Sequence, residues 1–264
     1  MTEPRSVEVQ IMSTSNASDL GFLALADLAH AAAEIDIDED GGYRVIGGHM
    51  VQLLIHAYPT PSLQIRGTAD ADAGVSRPVA AGQSLHRRLQ ELGYEAEKGN
   101  RYGKNSFEGR MTVDLLVPFG STGRTSIIEG RGFDTAPGLS MAIQSPPLSV
   151  SAEVGLRDGN RIRFTVLIPD VEAAVILKAL AWASRHAEKD VADLCSLFEI
   201  AHHYRTSITP WRLREAALTG TRRDAATALA QLVSRVERGT VDRKLFVSGR
   251  ARFGAMVRNL VTLN

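Results

Sequence analysis

The feature that most constrains this chain is a change of pattern near Asp170. From Asn105 onward the sequence runs in strand-length segments: NSFEGRMTVDLLVP (Asn105 to Pro118), RTSIIEGRGF, LSVSAEVGLR and NRIRFTVLIP. They alternate or stay apolar, as strands do, and Asp158-Gly159 suits a hairpin turn between the last two. After Asp170 that period is gone. DVEAAVILKALAWASR, KDVADLCSLFEIA, ITPWRLREAALTG and RRDAATALAQLVSRVERG carry apolar residues at helical spacing, and a shorter helix fits the C-terminus. Thr209 and Pro210 read as the cap and first residue of the third of these. The pattern predicts an α/β part over residues 1–169 and a helical part over 170–264.

The first part opens with a helix, DLGFLALADLAHAAAEI (Asp19 to Ile35), with Ser18 or Asn16 to cap it and the acidic turn DIDEDGG to end it. YRVIGG (Tyr43 to Gly48) reads as a short strand running into a glycine turn, and HMVQLLIHAY as the helix that follows. TADADAGVS is the next strand, and VAAGQSLHRRLQELGY predicts one amphipathic helix ending near Gly93.

Composition narrows the class. Of 264 residues 44% are hydrophobic and 23% charged, ordinary for a globular protein that can bury a large core. MTEPRSVEVQIM lacks the basic start and apolar run of a leader, and the most apolar stretch, VEAAVILKALAWA, carries Lys178 in its middle. A cytoplasmic protein with no membrane partner is the expectation. The single cysteine, Cys195, excludes an internal disulfide and argues against a thiolate zinc site. Charge is unevenly spread: residues 1–45 hold nine acids and two bases, residues 201–264 twelve bases and four acids. A basic end suits an anionic partner, though a solvated helical surface explains it as well.

The chemistry lies in RGTADADAGVS (Arg66 to Ser76). On a strand, Asp70 and Asp72 point to one face, and like charges that close need a cation or open solvent. Arg66 and Thr68 are the polar residues beside them. Asp114, in TVDLLV, is the lone acid of an apolar run, so it should be paired, metal-bound or at a strand end. A salt bridge to Arg110 or Arg131 is the plain alternative. If its strand lies beside that of Asp70 and Asp72, three carboxylates converge, a donor set suited to Mg²⁺. Two such ions would clamp the attacking and leaving oxygens of an in-line displacement. Gly47-Gly48 before a helix adds backbone N–H groups at its positive end, where phosphate binds. Order and chemistry together point to a nucleoside triphosphate.

At these residues the sequence resembles a known family. IGGHMVQLL, RGTADADAGV, VDLLVP, ILKALAWASR and KDVADLCSLF look like nucleotidyltransferases of the AbiEii type, a group of the DNA polymerase β-like superfamily that includes toxins of bacterial toxin–antitoxin and phage-defence systems. The resemblance runs from about Tyr43 to Phe198. It implies an α/β (α+β) fold, a polymerase β-like mixed sheet with flanking helices, followed by the helical C-terminal part.

It also implies roles. Gly47 and Gly48 would hold the triphosphate, with His49 beside them. Asp70 and Asp72 would bind metal, and Asp114 would be the third carboxylate, helping to deprotonate the attacking hydroxyl. Lys178 and Arg185 match a lysine–arginine helix motif in which Lys178 contacts the nucleotide, and Asp190 matches the motif after it, with Leu197 seven positions on. Two residues depart from the pattern: His49 stands where a serine is common, and Ala183 where the motif has Glu or Thr. The implied activity is Mg²⁺-dependent transfer of a nucleoside monophosphate, with two ions, to RNA, a tRNA 3′ end first among acceptors. Growth inhibition and a cognate antitoxin would go with it.

Plainer readings stand beside these. Lys178 and Arg185, seven apart, share a helix face, yet Lys178 could snorkel and Arg185 could pair with a nearby acid. Asp190 and Asp193 could be solvent-facing residues near a helix N-terminus. Trp182 and Trp211 read as packing residues, and the adjacent His202 and His203 cannot share one helix face as metal ligands. The functional alternatives are a nucleotidyltransferase acting on a protein or small molecule, and a catalytically inactive nucleotide-binding regulatory module.

Overall fold

The computed structural model describes residues 5–37, 42–61, 63, 65–97, 99–120, 123, 125–208 and 210–263. The chain forms two compact units, Met1–Ala57 with Arg66–Asp170, and Tyr58–Ile65 with Val171–Asn264. Among the described residues no helix is long and apolar enough to cross a membrane.

In the first unit β1 (Arg5–Met12) leads into α1 (Asn16–Glu34), β2 (Tyr43–Val45), α2 (Gly47–Ala57), β3 (Asp70–Val75), α3 (Arg77–Gly82) and α4 (Ser84–Glu91). Then come β4 (Glu95–Ala96), β5 (Arg101–Ser106), β6 (Gly109–Pro118), β7 (Thr125–Ile128) and β8 (Arg131–Ala136). α5 (Leu139–Gln144), β9 (Leu148–Gly155) and β10 (Arg161–Ile168) complete it. The larger sheet runs β2-β3-β6-β5-β4, with the β7-β8 hairpin joined to β6 through β8. It is mixed: β3 is parallel to β6, while β2 and β5 are antiparallel to their neighbours. The smaller sheet runs β1-β9-β10, with β1 parallel and β10 antiparallel to β9.

Two helices join these sheets. α1 packs on β3 and β6 of the larger and β10 of the smaller, and α2 on β3 and β1. Contact on both sides explains why twelve residues of α1, Phe22, Leu25 and Leu28 among them, are buried. Small residues bring the layers close: a methyl at Gly21 would strike the carbonyl oxygen of Thr68. β6 shows the strand period plainly, with Met111, Val113, Leu115 and Val117 buried and Thr112, Asp114 and Leu116 half-buried on the opposite face.

Several boundaries differ from the sequence reading. The cap of α1 is Ser15, whose hydroxyl accepts from Ser18 N–H at 3.1 Å. The segment expected as one helix after Val79 is two, because Gln83 between them takes a left-handed φ of 56°. Asn105–Pro118 is not one strand. Asn105 and Ser106 end β5, and a turn at Phe107-Glu108 starts β6.

The second unit holds α6 (Val171–Arg185), α7 (Glu188–His203), α8 (Gly220–Glu237) and α9 (Arg250–Leu260). α6 packs on α7 and α8, which both pack on α9. Tyr58–Ile65 joins this unit: Tyr58 meets the Tyr204 ring edge-on at 5.2 Å, and the Tyr204 hydroxyl donates to the Pro59 carbonyl at 2.7 Å. The helix expected over ITPWRLREAALTG is absent among its described residues, and Thr209, its expected cap, lies outside them. Buried Glu172 explains the irregular course, which runs through turns and bends. Its carboxylate accepts the backbone N–H groups of Arg212 and, at 3.1 Å, Leu213, together with Arg222 Nε–H at 2.8 Å. Leu213 in turn accepts Thr262 N–H at 2.9 Å, and Trp211 Nε1–H donates to the Leu260 carbonyl at 2.7 Å. Tertiary partners thus take backbone groups of Arg212 and Leu213 that a helix would otherwise use.

Candidate active site

The strand of Asp114 lies beside the strand of Asp70 and Asp72. β3 and β6 pair with Asp72 directly opposite Asp114 and Asp70 opposite Thr112. Residues in register share a face, and so do residues two apart on a strand. The three carboxylates therefore stand on one face of the larger sheet, each half-buried.

The glycine turn comes to the same place. β2 hands over to α2 beside β3, and Ile46 N–H donates to the Asp72 carbonyl at 2.9 Å. Gly47 has φ +70°, a left-handed conformation, and a methyl on it would collide with Asp72 Oδ2. Gly48 faces Thr68, whose Oγ1 would lie 2.7 Å from an added Cβ, with Arg66 Nη2 at 3.2 Å. Both glycines thus have a packing reason, and that reason seats the start of α2 against Asp72. The positive end of an eleven-residue helix and a carboxylate row are brought together.

Asp114 is paired, with neither arginine expected from sequence. Arg101, on β5, is its Cα partner on the other side, and a two-pronged contact joins them: Nε to Oδ1 at 3.0 Å and Nη2 to Oδ2 at 2.7 Å. The contact with Asp114, and then the charges of Asp70 and Glu97, hold the Arg101 guanidinium above its ordinary range. Arg110 pairs with Glu97 instead, and Arg131 lies over the Tyr102 and Phe133 rings. Arg101 has no local sequence signal, because only strand register sets it beside Asp114.

His49 does not fit the role given to it. Its side chain is fully buried, edge-on to Phe22 at 5.2 Å, so a side-chain contact with a nucleotide is ruled out in this conformation. Burial lowers its pKa to about 4; the Asp70 backbone opposes that shift slightly and the Arg66 charge adds to it. Neither ring nitrogen is seated in a well-formed hydrogen bond.

Lys178, Arg185 and Asp190 come together in the second unit. Lys178 Nζ is 2.6 Å from Asp193 and 3.9 Å from Asp190, and Arg185 grips Asp190 through Nε at 2.7 Å and Nη2 at 2.6 Å. Lys178, Asp190 and Asp193 are buried. Lys178 therefore does not snorkel, and the two aspartates do not face solvent. In this conformation Lys178 is committed to carboxylates, not open to a phosphate. Burial above all, then Glu199 and Asp193, pushes the Cys195 thiol on α7 up to about 12.

Among the described residues no three carboxylate, imidazole or thiol groups are already gathered around a common point. The donor set on β3 and β6 still fits a hard divalent cation, being three adjacent carboxylates. Arg101 engages both oxygens of Asp114.

No protein-family model matches the chain, and no curated protein matches it. Its backbone aligns with two solved structures at low identity. An antigenic nucleotidyltransferase-like protein from Paracoccidioides brasiliensis aligns over 95% of this chain and 96% of its own, at 15% identity and a TM-score of 0.49. The antibiotic-resistance factor ANT(2'')-Ia aligns over 86% of this chain and 98% of its own, at 10% identity and a TM-score of 0.41. At that distance the likeness carries nothing about individual residues. The architecture itself is mixed α/β: mixed sheets with flanking helices, and a helical C-terminal region.

Proposed function

We propose that the chain is a Mg²⁺-dependent nucleotidyltransferase. The observation that carries this reading is the register of Asp72 on Asp114, with Asp70 on the same face and the glycine start of α2 against Asp72. Three adjacent half-buried carboxylates are costly for a fold and useful for one task, holding divalent cations against phosphate. Mg²⁺ bound by Asp70, Asp72 and Asp114, as two ions in the fullest form, would supply the charge that neutralises the triphosphate. The N-terminus of α2, at Gly47 and Gly48, would hold phosphate oxygens through backbone N–H groups. An acceptor hydroxyl oxygen bonds to the α-phosphorus while Asp114 takes its proton. The bond from that phosphorus to the bridging oxygen breaks, and pyrophosphate leaves.

For the acceptor we propose RNA, a tRNA 3′ end first, with growth inhibition as the outcome and a cognate antitoxin as the partner to seek. Exposed Arg205, Arg214, Arg223, Arg238, Arg243 and Lys244 of the second unit support an anionic acceptor. The support is modest, since Arg212, Arg222, Arg252 and Arg258 each pair with a glutamate.

The test is incubation with tRNA, Mg²⁺ and each labelled nucleoside triphosphate in turn. We expect one nucleotide to be incorporated and the Asp70→Ala, Asp72→Ala variant to be inert. Equal activity in that variant, or no transfer to any RNA, protein or small-molecule acceptor, would overturn the enzymatic reading. Label on protein or a small molecule alone would move the acceptor. A nucleotide-binding module without transfer has one observation behind it, the Arg101 grip on Asp114, and tight nucleotide binding with no turnover would favour it.

A further inference from the structure

At one level of the larger sheet three strands place Asp72, Asp114 and Arg101 in a row, each the direct cross-strand partner of the next. Neighbours in such a row meet on one face, so Arg101 belongs to the carboxylate face. Tyr102, the next residue of β5, is buried on the other face. The two-pronged contact engages both oxygens of Asp114, so a cation binding there competes with Arg101 for them. The pair is not locked in the core: the Arg101 side chain is 48% exposed and that of Asp114 15%. The contact is specific in geometry and its arginine is half open to solvent, so a divalent cation can compete for the same carboxylate.

We propose that Arg101 is the resident counter-ion of Asp114, which a divalent cation displaces, and that the freed guanidinium then takes a phosphate oxygen of the nucleotide. This rests on the nucleotidyltransferase reading of the same face. Two strand spacings, about 10 Å, separate β5 from β3. That span lies along the carboxylate face, and a flexible arginine with an extended triphosphate bridges it. Arginine suits both states, since its planar fork matches carboxylate and phosphate alike. Without nucleotide, Arg101 opposes metal binding. With nucleotide it is drawn away, so metal and nucleotide each favour the other.

The experiment measures Mn²⁺ binding to the full chain by electron paramagnetic resonance, with and without a triphosphate analogue carrying a methylene between its α and β phosphorus atoms. Wild type, Arg101→Gln, Arg101→Lys and the surface control Arg87→Gln are compared, and circular dichroism establishes that each is folded. Without nucleotide, Arg101→Gln should bind Mn²⁺ about three- to tenfold more tightly than wild type. Arg101→Lys should fall between, having a charge but no fork, and Arg87→Gln should match wild type. With the analogue, wild type should gain Mn²⁺ affinity and Arg101→Gln should gain distinctly less. Unchanged or weaker Mn²⁺ binding in Arg101→Gln overturns the proposal, as does an equal rise in Arg87→Gln or an undiminished gain with the analogue. If wild type binds Mn²⁺ and Asp70→Ala, Asp72→Ala does not, the carboxylate site stands even when the Arg101 result fails. If neither wild type nor Arg101→Gln binds Mn²⁺, both readings fall.

Discussion

Two sets of charged side chains in this protein have opposite surroundings. On α6 and α7, Lys178 and Arg185 close on Asp193 and Asp190, and the lysine and both acids are buried. On β3 and β6, Asp70, Asp72 and Asp114 stand side by side, half-buried, with Arg101 committed to one of them. The first set is neutralised from within and sits where an unpaired charge would be very costly. The second keeps like charges adjacent at a surface that water and ions can reach, an arrangement packing alone does not favour. Sequence motifs single out both sets equally. Burial and pairing separate them: the helical set is closed on itself, and the sheet set is the one we propose for chemistry.

The sharpest way to break that contrast is to remove one partner from each set. Lys178→Met leaves Asp193 buried without its counter-charge and should cost about 3–5 kcal/mol in a denaturant titration. A loss under 1 kcal/mol would mean the helical cluster is not structural. Asp70→Ala with Asp72→Ala should do the reverse, lowering nucleotidyl transfer at least about a hundredfold while shifting stability by less than about 1 kcal/mol. A large drop in melting temperature would place those acids among the structural ones.

His49 sharpens the contrast by pH. Its pKa is about 4 in the folded chain against an ordinary 6.5. Between those values the unfolded chain binds a proton that the folded chain refuses, so stability falls as pH is lowered from about 6.5. The cost reaches about 3 kcal/mol by pH 4 and is nil above pH 7. His49→Phe should flatten that part of a stability-against-pH curve, and an unchanged slope would mean His49 is not held neutral. The smallest effect concerns Gly47. Gly47→Ala should cost about 1–3 kcal/mol from its left-handed backbone, and should weaken Mn²⁺ binding by pushing Asp72 aside. Normal binding there would detach the glycine turn from the carboxylate row.

Much of this was legible in residue order. Helical spacing marked α1, α6, α7 and α8, and Asp158-Gly159 marked the β9-β10 turn, because these elements rest on local periods and turn chemistry. The approach of Asp114 to Asp70 and Asp72 was legible as a condition, that their strands be neighbours, and not as a register. What sequence hid was set by distant partners. Arg101 is thirteen residues from Asp114 and has no motif around it. Trp211 to Leu218 has helical spacing, yet Glu172, some forty residues earlier, claims its backbone donors. Asp193 looked like a surface acid until α6 brought Lys178 against it. β1 is hidden too, although VEVQIM alternates as a strand should, since its partner β9 lies far along the chain.

That first strand has a consequence for how the protein is made. Among the described residues β1 pairs in the smaller sheet with β9 alone, beginning with Arg5 against Leu148. A ribosome adding about 5–20 residues per second needs roughly 7–30 s to reach β9 after β1 has been synthesised. Through that interval the apolar side chains of Val9 and Ile11, buried in the finished unit, have no strand to pair with. Val9 and Ile11 are therefore an aggregation hazard until β9 is made, and a chaperone that shields β1 during synthesis should raise the yield of folded protein more than one acting after release.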